Sequence, residues 1–131
     1  MRRFICLISF IILTGCSLNP KDLVGTYEAN YGESTEQLTL KADGHYWQVI
    51  WKRKGSQAKQ ENSGIWRIMP VKDFPDRLTI IFYDFLSADH RKNDSKEQNF
   101  TRTNFITACT KLFNSIECSI DEDTGLYYVK Q

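Results

Sequence analysis

The chain has 131 residues, 17 of them basic and 16 acidic, and carries a formal net charge of +1. That length makes one domain with a modest core. Charges this evenly balanced leave no footprint for nucleic acid, and two histidines with four cysteines leave little material for a metal site.

Met1-Arg2-Arg3 is a short cationic run, and the segment from Phe4 to Leu13 is apolar apart from Ser9. This is the layout of a secretory signal. It is too short to be a membrane-spanning helix, which needs about 20 apolar residues. The run ends in Leu13-Thr14-Gly15-Cys16, which resembles the lipobox of bacterial lipoproteins. A thiolate is the best side-chain nucleophile for taking up a lipid as a thioether. The resemblance implies a diacylglyceryl group on Cys16, cleavage between Gly15 and Cys16, and N-acylation of Cys16, commonly with palmitate. The plainer alternative is an ordinary cleaved signal with a chance cysteine. Ser17 follows Cys16 where inner-membrane enterobacterial lipoproteins carry Asp. The resemblance therefore points to the periplasmic face of an outer membrane.

Removal of residues 1–15 leaves 116 residues, in which 15 basic side chains stand against 16 acidic ones. Residues 16–22 read as a lipidated N-terminus and short polar tether, and residues 23–131 as a single domain.

From Leu23 onward the chain alternates as strands do, with no helix of more than two turns. Leu23 to Tyr31 sets Tyr27, Ala29 and Tyr31 on one parity. Gln37 to Lys41 alternates cleanly, and Asp43-Gly44 signals a hairpin. A two-residue loop there sets Leu40 opposite Trp47 and makes Leu38, Leu40, Trp47, Val49 and Trp51 a core face. A one-residue bulge would put Tyr46 inside instead. Lys52-Arg53-Lys54-Gly55-Ser56 reads as a basic turn, and the polar run to Ser63 as a loop or an exposed hairpin arm. Gly64 to Ile68 begins a new strand, closed by two prolines. Leu78 to Leu86 is apolar enough for a strand buried on much of both faces. Ser87 to Gln98 is a polar loop.

Asn99 to Cys109 alternates again. A tight reversal centred on Phe113-Asn114 sets Cys109 directly opposite Cys118. Phe105, Thr107 and Cys109 then share a face with Ile116, Cys118 and Ile120. With Cys6 lost and Cys16 acylated, these two cysteines are an even pair in an oxidising compartment, where a disulfide is expected. Asp121 to Gly125 is a turn, and Leu126 to Lys130 a closing strand.

About eight antiparallel strands in a meander predict an all-β, up-and-down barrel, with a two-sheet β-sandwich as the alternative. Gly25-Thr26-Tyr27, Leu38-Thr39-Leu40 with Asp43-Gly44-His45-Tyr46, and Gly64-Ile65-Trp66 resemble the small lipocalin-like lipoproteins of bacteria. That resemblance implies a barrel whose interior holds side chains or one small ligand.

Trp47, Trp51 and Trp66 are candidates for lining a ligand pocket, although core packing is the favoured reading, because alternation places aromatics inward in any barrel. Lys52, Arg53 and Lys54 could meet anionic headgroups, or be a solvated hairpin tip. Asp121, Glu122 and Asp123 lack the frame of a calcium loop. No nucleophile-base, paired-carboxylate or metal motif surrounds His45 or His90, and no metal or cofactor is expected. The function expected is that of a non-enzymatic, lipid-anchored envelope module. It would bind a small apolar ligand or a periplasmic partner protein. The alternative is an inhibitor or immunity lipoprotein that blocks a toxin or hydrolase through the 52–63 or 87–98 loop.

Overall fold

A computed structural model describes residues 17–31, 34–52, 59–70, 75–88, 100–121 and 126–131 of the chain. Eight strands follow one another: β1 Gly25–Asn30, β2 Ser34–Leu40, β3 His45–Lys52, β4 Lys59–Ile68, β5 Arg77–Ala88, β6 Phe100–Leu112, β7 Ser115–Asp121 and β8 Leu126–Lys130. Each pairs antiparallel with the next. The pairing of β8 with β1 closes the sheet into an up-and-down barrel. Closure leaves neither β1 nor β8 as a free edge strand. The fold is therefore the eight-stranded, lipocalin-like barrel and not the two-sheet sandwich.

Strict alternation builds the interior. In β2, Ser34, Glu36, Leu38 and Leu40 are buried, and the residues between them are half-buried. Tyr27 and Ala29 of β1 face the same core, as their common parity predicts. The polar run before Gly64 is an arm of a hairpin, because β4 extends back to Lys59. In β5, Ile80, Phe82, Phe85 and Leu86 are buried, but Tyr83 is exposed. The cause is a bulge between Phe82 and Phe85, where Asp84 takes a positive φ of 55°.

The hairpin joining β2 and β3 has the bulged register. Lys41 donates its N–H to the His45 carbonyl across a three-residue loop. Gly44 supplies the left-handed φ of 86° that such a loop requires. Leu40 consequently faces Tyr46, and Thr39 faces Trp47. Tyr46, Gln48 and Ile50 are buried, whereas Trp47 and Trp51 are exposed. The two-residue loop with Trp47 and Trp51 in the core is thus corrected by one residue. That step transfers every side chain of β3 to the other wall. Val49 is buried too, although it shares the parity of the two outer tryptophans.

One end of the barrel is plugged by the N-terminal segment. Pro20–Leu23 forms a single 3-10 turn. Leu18 and Leu23 are buried in the main core, and the Leu18 amide donates to the Pro75 carbonyl. The expected tether is therefore part of the fold from Leu18 onward, because its two leucines complete the apolar floor.

Turn chemistry and parity agree at β6 and β7. Leu112 faces Ser115 across the Phe113-Asn114 reversal, Cys109 faces Cys118, and the two cysteines are joined in a buried disulfide. The bridge closes a loop with a sequence separation of 9, so it should stabilise the fold by about 2–3 kcal/mol. Reducing the bridge should lower the unfolding free energy measured in denaturant by that amount. Identical unfolding curves for oxidised and reduced protein would contradict it.

Candidate functional site

Two features carry polar chemistry, an internal network in the half of the barrel away from the plug and an outer groove that runs from the β2–β3 hairpin toward Arg102. The first is internal. The β4–β5 ladder runs only from Trp66 opposite Phe82 to Ile68 opposite Ile80. Beyond it, side chains of neighbouring strands take up the backbone groups of β5. Tyr46 lies over Gly64 and donates its hydroxyl to the Tyr83 carbonyl at 2.7 Å. Asn62 donates to the Asp84 carbonyl at 2.8 Å. Gln48 donates to the Leu86 carbonyl at 2.7 Å and accepts from the Leu86 N–H at 3.2 Å. The Gln48 amide thus reproduces the two bonds that a neighbouring strand would make.

The same amide links the seam to a buried acid. Gln48 Nε2 donates to Glu36 Oε1 at 2.5 Å, the Tyr128 hydroxyl donates to Oε1 at 2.5 Å, and the Tyr31 hydroxyl donates to Oε2 at 2.9 Å. Burial pushes the Glu36 carboxyl above its ordinary 4.5, while the bonds from Tyr128, Gln48 and Tyr31 pull it back down. Burial, and then the Glu36 charge, raise the phenols of Tyr128 and Tyr31. Burial likewise pushes Tyr46 up to about 12. These phenols stay protonated and act as donors. The network is a packed, satisfied polar plug.

The second feature is an open groove of about 720 Å³ on the outer wall. His45 and Trp47 of β3 and Glu61 and Ser63 of β4 form its sides. Arg102 of β6 reaches the seam, where its Nη1 donates to Asn62 Oδ1 at 2.7 Å. Inner plug and outer groove therefore share Asn62. Trp51, Ile65 and Tyr83 are further exposed apolar side chains of β3, β4 and β5.

The three tryptophans do not converge on one pocket. Trp66 is in the core, with its indole N–H donated to the Lys41 carbonyl at 3.1 Å, while Trp47 and Trp51 are outside. His45 sits 3.2 Å from Asp43 in the exposed hairpin turn, and its amide donates to the same carboxylate. That amide bond, more than the imidazole, holds the Asp43 carboxyl below its usual range. Among the described residues no three His, Cys, Asp or Glu side chains gather to hold a metal. Cys16, the Arg53-Lys54 turn, His90 and the acids Glu122 and Asp123 lie outside the described residues, as does most of the 87–98 loop. Glu36, Gln48, Asn62 and Arg102 were invisible as a group in the sequence. Polar residues at inward parities of β2, β3 and β4 are the one signal that could have found them. Comparison of the chain with protein-family models, with curated proteins and with solved structures finds no match.

Two outcomes are expected. Glu36 holds a proton in the fold at pH values where the unfolded chain has lost it. Its contribution to stability is complete below about 4.5 and is lost as pH rises through the higher folded value. Glu36→Gln should flatten that part of the pH dependence of the melting temperature, and an unchanged slope would contradict the assignment. A Cβ on Gly64 would lie 2.6 Å from the Tyr83 carbonyl oxygen and 2.7 Å from the Tyr46 hydroxyl. Gly64→Ala should therefore destabilise by about 1–3 kcal/mol, and equal denaturant midpoints would refute the close approach.

Proposed function

We propose that the protein is a lipid-anchored, non-enzymatic binding module of the bacterial cell envelope, carried on Cys16 at the periplasmic face of an outer membrane. Its ligand is a partner protein that meets the outer wall of β3, β4 and β5. The observation that carries this reading is the exposure of Trp47 over a groove that Arg102 also lines, with Trp51, Ile65 and Tyr83 exposed on the same three strands. Tryptophan, tyrosine and arginine are the residues that dominate protein–protein hot spots. Exposed apolar side chains grouped on one wall of a small domain are the mark of an interaction surface.

The alternative of a small apolar ligand inside the barrel is less well supported. Tyr27, Tyr46, Phe82, Phe85, Gln48 and Tyr128 are buried and packed or bonded to one another through the middle of the barrel. An apolar guest would have to displace satisfied polar groups. A toxin or hydrolase held in check is one partner that the outer wall would fit. It would then be bound by the wall and not through a protruding loop.

The test has two arms. Metabolic labelling with a palmitate analogue should mark the wild-type chain and leave Cys16→Ala unmarked; equal labelling of both would end the anchoring reading. A photocrosslinking residue in place of Trp47 should give a discrete protein adduct in cells, and one in place of Glu28, exposed on β1, should not. Adducts of equal yield at both positions would remove the outer wall as the binding face.

A further inference from the structure

The plugged end of the barrel gathers features that the binding wall does not use. The described chain begins at Ser17, and Leu18 is already fixed there by its bond to Pro75. The next residue along, Asp76, accepts a hydrogen bond from the Lys111 amide. Lys111 leads directly into Leu112 and the Phe113-Asn114 reversal. Phe113 is 92% exposed and Leu112 46%. Phe113 also holds a φ of 51°, a left-handed conformation that glycine adopts freely and a phenylalanine adopts at a cost. An apolar ring is thus kept in water, in a backbone state that disfavours it, at the tip of a bridged hairpin. Beside the tip lies a hollow of about 330 Å³, lined by Lys111, Lys130, Asn114, Ser115 and Asp22 among others.

Cys16 and Leu18 are two residues apart, and two residues span at most ~7 Å. A lipid on Cys16 therefore brings this end of the barrel, and no other, against the bilayer. We propose that the plugged end is a membrane-contact surface. Phe113 and Leu112 enter the headgroup boundary and Lys111 beside them faces anionic phosphates, while Lys130 is held by its bond to the Asp22 carbonyl. The proposal rests on the acylation of Cys16. It adds an orientation: the barrel stands on its plugged end and holds the opposite end, with the polar half of the interior, away from the membrane. An exposed aromatic at this depth suits the interface, where rings settle at the level of the headgroups. The attraction of each cationic side chain for anionic lipid acts only within a Debye length, which the short tether satisfies.

The experiment uses the full chain, expressed in bacteria, purified with its processed N-terminus and reconstituted into phosphatidylethanolamine–phosphatidylglycerol vesicles. An environment-sensitive fluorophore is placed on Phe113→Cys and, separately, on Gln60→Cys, which is exposed near the far end of β4. Brominated lipid should quench the probe at position 113 severalfold more than the probe at position 60. Asn114→Cys, also exposed, serves if the first variant fails to fold, and its probe should be quenched in the same way. Mass spectrometry of the same preparations reports the state of Cys16. An acylated protein whose 113 and 114 probes are quenched no more than the probe at 60 would overturn the orientation and leave the anchor standing. A bare Cys16 would overturn the anchor, and the orientation with it.

Discussion

The pairing of Leu40 with Tyr46 decides which half of β3 lies inside the barrel, and most of the structure follows from it. The loop between them has three residues because Gly44 turns left-handed and Lys41 closes on His45. A hairpin one residue tighter would bring Trp47, Val49 and Trp51 inward and expel Tyr46, Gln48 and Ile50. The apolar pattern of β3 alone favours that tighter hairpin. The observed one stands because its inward residues have partners. Tyr46 covers Gly64, which has no side chain to obstruct it, and reaches β5; Gln48 meets Glu36, Asn62 and Leu86. Burying these polar groups without partners would cost about 1–3 kcal/mol each.

The same register explains why the barrel can leave half of one ladder unmade. A strand pair without backbone bonds exposes amides and carbonyls to an apolar interior. Here the bulge at Tyr83-Asp84 turns two carbonyls toward donors on β3 and β4, and the Gln48 amide closes on Leu86. The interior is consequently divided. Aromatic and aliphatic side chains fill the part near the plug, where the edge-to-face pair of Tyr46 and Phe82 sits at 5.3 Å. Hydrogen bonds fill the part nearer the other end, around Glu36. The outside divides from it in character, since Trp47 and Arg102 are exposed there.

Much of this was legible in the sequence where local rules act alone. The eight strands, the closing strand Leu126–Lys130 and the opposition of Cys109 to Cys118 follow from alternation and from a turn of fixed length. The hairpin at Asp43-Gly44 was legible as a hairpin, but its loop length was not. Two turn types differing by one residue share that dipeptide, and the choice rests on contacts from β2, β4 and β5 that no window of β3 contains. For the same reason the buried network could not be read, because Glu36, Gln48, Asn62 and Tyr128 come from four strands. Leu18 and Leu23 looked like the ends of a tether, since only the closed barrel gives them a floor to complete.

Single-tryptophan variants test the β3 register most directly. Each keeps one of Trp47, Trp51 and Trp66 with the other two replaced by phenylalanine, and collisional quenching by acrylamide reports the access of water to the ring. The account predicts ready quenching at Trp47 and Trp51 and protection at Trp66. Protection of Trp47 equal to that of Trp66 would place the outer wall inside the barrel and contradict the register on which the rest depends.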